Sequence, residues 1–302
     1  MTEKVVAVGR EISLAYEEIG DAGGEPLVLV AGLGQQLHSW PDEFCAQLAA
    51  RGYRVVRFDN RDVGRSTHES FRPAKLVSML VGRFPAGQYD LTDLADDTAG
   101  LLDAIGLASA HLVGVSMGGM IAQTVAARHP DRVRTLTSIM STTGARRIGR
   151  PAMSTTRLMG AAPPKTRADA IDRAITMFRH IGSHGFPFDE EHVRERAGRG
   201  WDRDPSSAGT GRQLGAILKS GDRTPSLRSV TAPTLVIHGD RDRMVHPTGG
   251  AATVRAITGA RLETITGMGH DLPKGAWPAL LDLIDNHARA TRSTDARDTT
   301  AS

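Results

Sequence analysis

Strand-like and helix-like stretches alternate along most of this chain, which predicts an α/β fold with a mostly parallel sheet covered on both faces by helices. Three observations carry that expectation. Short apolar runs such as Leu27-Val28-Leu29-Val30 lack polar alternation, as a strand buried on both faces requires. Helical repeats separate them, for example Leu91, Leu94, Ala95, Leu101, Leu102 and Ile105, closed by Gly106. Loops that follow three of the runs carry, in chain order, a serine, a pair of aspartates and a histidine.

Residues 3–8 and 12–19 read as two strands joined at Gly9-Arg10-Glu11, a hairpin. A turn over 21–26 leads into the strand 27–30, which ends in Ala31-Gly32-Leu33-Gly34-Gln35. A helix over 41–50 has Pro41 in its first turn, where proline is favoured. The next strand, 53–58, ends in Asp59-Asn60-Arg61-Asp62-Val63-Gly64-Arg65-Ser66. Residues 67–90 form a long irregular connection in which 76–81 is a candidate short helix. The helix 91–105 is followed by a strand at 110–115, a sharp turn at Ser116, a helix to about His129 and a strand at 133–140.

At Ser141 this pattern breaks, and no strand-like run appears in 142–228. Thr166-Arg167-Ala168-Asp169 has the form of a capping box ahead of an apolar face of Ile171, Ala174, Ile175 and Phe178. Further helices are expected from about Asp189 and over 207–219. The sheet pattern resumes with strands at 234–238 and 261–265 and helices at 248–257 and 275–287. The expected organisation is therefore a core of residues 1–141 and 229–288, a helical lid at 142–228, and a polar, disordered tail at 289–302.

With 302 residues, 40% apolar and 24% charged, the chain has the composition of a soluble globular protein. No stretch approaches the roughly 20 apolar residues of a membrane span, and the charged N-terminus lacks signal-peptide architecture. Cys45 is the only cysteine, so no internal disulfide is possible and a cytoplasmic location is expected. Its expected place is a buried, small apolar position on an early helix. Residues 142–228 carry 16 Arg and Lys against 9 Asp and Glu, while the rest of the chain is net acidic. Such a surplus can steer anionic ligands, but it reads first as a solvated helical surface. Without aromatic interleaving or zinc spacing, nucleic acid is not an expected partner.

The stretch Gly114-Val115-Ser116-Met117-Gly118 joins a strand to a helix. Glycines on either side let the backbone turn sharply and push the serine hydroxyl out at the top of a sheet. A serine hydroxyl is a poor nucleophile at neutral pH, so it needs a base within hydrogen-bond reach and an acid to orient that base. Gly239-Asp240-Arg241-Asp242 and Gly267-Met268-Gly269-His270-Asp271 each follow a later strand. Loops at the carboxyl ends of parallel strands meet over one site. His270 is the expected base because it alone follows the final strand on a flexible Gly-Met-Gly lead; His111, His129, His238 and His246 are bound to other elements. The Asp-x-Asp also suggests a metal, but no clustered His or Glu completes a ligand set, so none is expected.

Ser116 in its Gly-Val-Ser-Met-Gly-Gly setting, Gly239-Asp-Arg-Asp-Arg-Met-Val and Gly269-His270 resemble the nucleophile, acid and base loops of the α/β-hydrolase family. Asp59-Asn-Arg-Asp-Val-Gly-Arg-Ser resembles the same family's turn before its second major helix. The likeness covers about residues 10–288. It implies the α/β-hydrolase fold, a Ser116–His270–Asp242 triad, no cofactor, and a small-molecule ester as partner. The family pattern places the acid three residues after the glycine, at Asp242, which leaves Asp240 to cap or brace its loop. The oxyanion hole implied is the pair of backbone N–H groups of Leu33 and Met117. Ala31 departs from the pattern, standing where a histidine usually precedes Gly32; this bears on how the Leu33 loop is held, not on whether its amide exists.

Serine at the elbow excludes the epoxide-hydrolase and dehalogenase branches, which need an aspartate there. The strands and the Gly185-Phe186-Pro187-Phe188-Asp189 stretch make the chain most similar to carboxylesterases, including methyl-ester hydrolases acting on polyketide antibiotics. Met153, Leu158, Met159 and Met177 are candidates to line an adaptable apolar pocket in the lid, with ordinary lid packing as the competing reading. The activity expected is hydrolysis of a small to medium, largely apolar carboxylic ester through an acyl-enzyme. The alternatives are a cofactor-free perhydrolase or haloperoxidase using the same triad, and a binding protein that kept the pocket without turnover.

Overall fold

In the apolar run at 27–30 successive side chains alternate between two faces, and both faces are covered. Val28 and Val30 join Val56, Phe58, Leu112 and Leu136 in one core, while Leu27 and Leu29 join Val55, Val113, Leu235 and Ile237 in another. A strand sandwiched in this way has no solvent face, so each residue contributes the full burial of an aliphatic side chain, about 1.5–3 kcal/mol relative to exposure. The computed structural model describes residues 2–9 and 11–298.

The strands are β1 (Lys4–Gly9), β2 (Ile12–Ile19), β3 (Glu25–Val30), β4 (Tyr53–Phe58), β5 (Ala110–Val115), β6 (Val133–Ile139), β7 (Thr234–Gly239) and β8 (Arg261–Ile265). They form one sheet in the order β1-β2-β4-β3-β5-β6-β7-β8. β1 and β2 make the expected hairpin, β2 pairs antiparallel with β4, and every pairing from β4 onward is parallel. The chain leaves β3 for β4 on one side and returns to β5 on the other. β3 and β5 therefore flank the point where strand order reverses, the place where open α/β sheets bind ligands.

Helices α1 (Asp42–Ala50), α2 (Leu76–Leu80), α3 (Leu91–Ala104) and α4 (Met117–Arg128) occur among the first six strands. Asp90 opens α3 with a capping box shared with Asp93. Between β6 and β7 come α5 (Met153–Met159), α6 (Arg167–Ile181), α7 (Glu190–Arg203), α8 (Ala208–Ser220) and α9 (Thr224–Leu227). No strand interrupts them among the described residues of 142–228. Thr166 and Asp169 cap α6 reciprocally, and Asp189 caps α7 by accepting from His192 N. α5 has no counterpart in the sequence reading. Its two threonines are indifferent helix formers, and it is fixed instead by Ala152 N and Thr155 Oγ1, which both donate to Arg243 O.

α10 (Thr248–Ala256) and α11 (Trp277–Asp298) complete the chain. Trp40, Phe44 and Trp277 form an aromatic series that joins α1 to α11, the first pair tilted and the second edge-to-face, with centroids 5.9 and 5.7 Å apart. Cys45 is a free, buried thiol on α1. The tail expected from residue 289 begins as a continuation of α11 to Asp298, with Arg289 donating back to Asp285 one turn earlier. Residues 299–302 of that expected tail lie outside the described residues.

Candidate active site

The elbow at Ser116 is strained by construction. Ser116 has φ +55°, a conformation that disfavours any residue with a Cβ. It is held there by Ser116 N donating to Ile139 O at 2.9 Å, and by Ser141 Oγ donating to Ser116 O at 2.8 Å. The two glycines of the motif are required for close approach. A Cβ on Gly114 would fall 2.2 Å from Gly118 O, and one on Gly118 would fall 2.1 Å from Val30 O. Their absence lets α4 sit on the ends of β3 and β5.

The three expected loops converge. His270 Nε2 lies 3.0 Å from Ser116 Oγ, and His270 Nδ1 lies 2.7 Å from Asp242 Oδ2. An ionised Asp242 accepts the Nδ1 proton, which leaves the Nε2 lone pair facing the serine hydroxyl. Ser116 and His270 are half-buried, open to a reactant, while Asp242 is buried. Its second oxygen accepts from Met244 N and Val245 N, both at 2.8 Å. Burial alone pushes the Asp242 carboxyl up. The attraction of a His270 imidazolium whenever the ring is protonated, with hydrogen bonds from His238 and His270, outweighs that and holds it well below the usual carboxylate range.

Asp240 does not reach the imidazole contact; its Oδ1 accepts from Gly267 N at 2.7 Å and ties the acid loop to the base loop. His238, read as a strand residue, is also near the acid: Nε2 donates to Val245 O at 2.8 Å and lies 3.4 Å from Asp242 Oδ2.

Leu33 and Met117 follow the neighbouring strands β3 and β5. A Cβ on Gly32 would lie 3.5 Å from Ser116 Cβ, so the Leu33 loop borders the serine directly. Neither Leu33 N nor Met117 N donates to a protein acceptor among the described residues. Two unspent N–H groups beside a hydroxyl are the requirement for stabilising an oxyanion.

Without a histidine at Ala31, the loop is held from several directions. Asn60 Nδ2 donates to Ala31 O, Gln213 Oε1 accepts from Gly34 N at 2.8 Å, and Asp59 Oδ1 accepts from Leu37 N at 2.6 Å. Gln213 comes from α8, 179 residues from its partner, and no local pattern in the sequence marks it. Asn60 follows β4 and was legible as part of a strand-end loop, though not in this role.

The pocket candidates separate. Leu158 and Met177 line a cavity of about 390 Å³ between α5, α6 and their connector, together with Pro163, Pro164 and Arg173. Met159 is not among its lining residues, and Met153 is 91% exposed. None of Ser116, Asp242 and His270 lines that cavity. Among the described residues no helix is long and apolar enough to cross a membrane.

Known proteins resemble this chain along most of its length. The chain is 30% identical to the rhodomycin D methylesterase DauP of Streptomyces sp. (strain C5), over 93% of this chain and 96% of that one. It is 29% identical to BpoC of Mycobacterium tuberculosis, a relative named for non-heme bromoperoxidase activity, over 86% and 91% of the two chains. The crystal structure of the enol-lactonase from Burkholderia xenovorans LB400 superposes with a TM-score of 0.72, at 24% identity over 93% of this chain and 98% of that one. The family model for the alpha/beta hydrolase fold matches residues 25–273, from the first strand of the parallel sheet to the loop just beyond His270. With that span and the reversal of strand order between β3 and β5, the chain belongs to the α/β-hydrolase fold family.

Proposed function

We propose that this hydrolase is a serine carboxylesterase that cleaves a small to medium, largely apolar ester through an acyl-enzyme. The observation that carries the reading is the single row Asp242–His270–Ser116, spaced 2.7 and 3.0 Å, beside two unpaired amides. Ser116 Oγ attacks the ester carbonyl carbon as its proton passes to His270 Nε2. Asp242 keeps the proton on Nδ1 and stabilises the imidazolium that forms. The carbonyl oxygen becomes an oxyanion and accepts from Leu33 N and Met117 N. Collapse expels the alcohol, which takes the proton from Nε2. Water then repeats the sequence on the acyl-enzyme, releasing the acid and restoring the serine. This chemistry uses no cofactor.

The similarity to rhodomycin D methylesterases supports a methyl ester as the scissile group. The test is a panel of methyl esters and short-to-long acyl esters, run beside Ser116→Ala. Turnover should vanish in the variant, and hydrolysis at the wild-type rate would remove Ser116 as nucleophile. The similarity to BpoC favours one second reading, peroxide-dependent chemistry from the same triad. Halide- and peroxide-dependent halogenation exceeding ester turnover would select it. Absence of acyl-enzyme with esters, despite labelling by a serine-directed fluorophosphonate, would instead select a binding role.

A further inference from the structure

The base sits on a loop whose own sequence cannot fix it. Gly267 has φ +79°, and the Gly-Met-Gly lead gives the chain wide conformational freedom ahead of His270. The sheet core restrains the start of this loop: Asp240 Oδ1 accepts from Gly267 N, and Arg241 N donates to Met268 O at 3.0 Å. The next three residues are held from elsewhere, by the last residue of α6 and the turn that follows it. His270 N donates to Ile181 O at 2.7 Å. Ser183 Oγ accepts from Gly269 N at 2.9 Å and donates to Asp271 Oδ1 at 2.5 Å. One hydroxyl thus grips the residues on both sides of the base. A fourth bond, Gly185 N to Gly267 O at 2.9 Å, continues the seam.

We propose that Ser183 is a positioning residue for His270, through which the helical insertion sets the alignment of the base as well as covering the core. The proposal rests on the serine-carboxylesterase reading above. The imidazole must meet Ser116 Oγ and Asp242 Oδ2 at once, and small misplacements of a catalytic group cost up to about 100-fold in rate. Backbone bonds at Ile181 and Gly185 fix the height of the loop over the insertion. The bracket at 269 and 271 fixes its rotation, which is what aims the ring. Burial pushes the Asp271 carboxyl up, and the Ser183 hydroxyl is the foremost influence opposing that shift.

The experiment compares wild type, S183A, S183T and Ser116→Ala with p-nitrophenyl acetate, following kcat and KM separately, the rate of fluorophosphonate labelling, and the thermal midpoint. S183A should lower kcat and the labelling rate together by about tenfold or more, with KM within about twofold, because base alignment affects attack and not binding. S183T keeps the hydroxyl and should recover most of both losses. If S183A does not fold, S183C retains the volume with a weaker hydrogen-bonding group and reads the same loss. Wild-type kcat in S183A, or a loss that S183T leaves unrepaired, overturns the proposal. Ser116→Ala separates the two layers. Turnover surviving in that variant removes the esterase mechanism, whereas an inactive Ser116→Ala beside a fully active S183A removes the positioning role alone.

Discussion

Asparagine at position 242 tests the acid, and the structure sets the size of the effect. Asp242 uses both oxygens: Oδ2 takes the His270 Nδ1 proton at 2.7 Å, and Oδ1 takes Met244 N and Val245 N. An amide has one acceptor oxygen. If that oxygen stays with the two backbone N–H groups, the NH₂ faces His270 Nδ1 and demands a lone pair there. The ring proton moves to Nε2, and the serine loses its base. The reverse rotamer presents an NH₂ to two backbone donors and is disfavoured by two lost hydrogen bonds, about 1 kcal/mol each. Tautomer reversal of this kind costs about 10⁴ in kcat, or about 5.4 kcal/mol of barrier. Asp240→Asn behaves differently, since its remaining oxygen can still accept from Gly267 N. It should lose no more than about threefold in kcat. Steady-state turnover of p-nitrophenyl acetate, with thermal melts to establish folding, measures both. Asp240→Asn costing as much as Asp242→Asn, or Asp242→Asn losing under tenfold, would refute the reasoning.

Three further outcomes follow from contacts around the site. Gly118→Ala forces a methyl to within 2.1 Å of Val30 O; it should cost about 3 kcal/mol, the upper end of overpacking, and lower kcat as the Met117 amide shifts. Wild-type urea stability would contradict the close approach of α4 to β3. Asp62→Ala strands Arg212, the Tyr89 hydroxyl and Glu69 N, all of which Asp62 receives while fully buried. Breaking such a pair from one side should cost about 3–5 kcal/mol in equilibrium unfolding, and a loss below about 1 kcal/mol would show the pair to be energetically idle. Burial pushes the Cys45 thiol up to about 12, whereas an unfolded thiol titrates near ~8.5. Between those values the native state holds a proton the unfolded chain has released, so this contribution is complete below about pH 8.5 and falls by about 1.4 kcal/mol per pH unit above it. Comparing the alkaline unfolding slopes of wild type and Cys45→Ala isolates it; identical slopes would disprove it.

What the sequence revealed was local. The strands at 53–58 and 261–265 are bounded by turn residues and have the same limits in the structure, because strand length and burial pattern are written in adjacent residues. The capping box at Thr166 and the elbow at Ser116 are legible for the same reason: a few neighbouring residues suffice to specify each geometry. Choosing Asp242 over Asp240 needed the family pattern, since both aspartates share one short loop and only the fold decides which faces the imidazole. α5 escaped because its helix is stabilised by Arg243 O, far along the chain, and not by its own propensity. Residue type groups Met153 with Met177, yet Met153 sits at the exposed start of α5.

The basic surplus of the helical segment is mainly a solvated surface, as its composition suggests, but a few of its members do what composition cannot show. Most of its arginines lie exposed at the surface. Three of the remainder face inward. Arg212 pairs with buried Asp62, Arg203 pairs with buried Asp59 and with Glu3, and buried Arg223 donates to Met120 O, Gln123 Oε1 and Thr142 O. The acids that Arg212 and Arg203 meet belong to the net-acidic core, so opposite charge joins the two parts there. Asp59 is the decisive member. Its Oδ1 accepts from Leu37 N just beyond the Leu33 loop, while Arg203 of α7 binds the same carboxylate. Gln213 of α8 reaches Gly34 within the loop itself. The loop lacks the family's usual histidine, and groups supplied by the insertion hold it on the side facing that insertion. On the proposed reading, in which the Leu33 loop supplies an oxyanion donor and Ser183 aligns the base, α7 and α8 brace one half of the site and the turn after α6 the other, so displacing these helices would loosen both halves together.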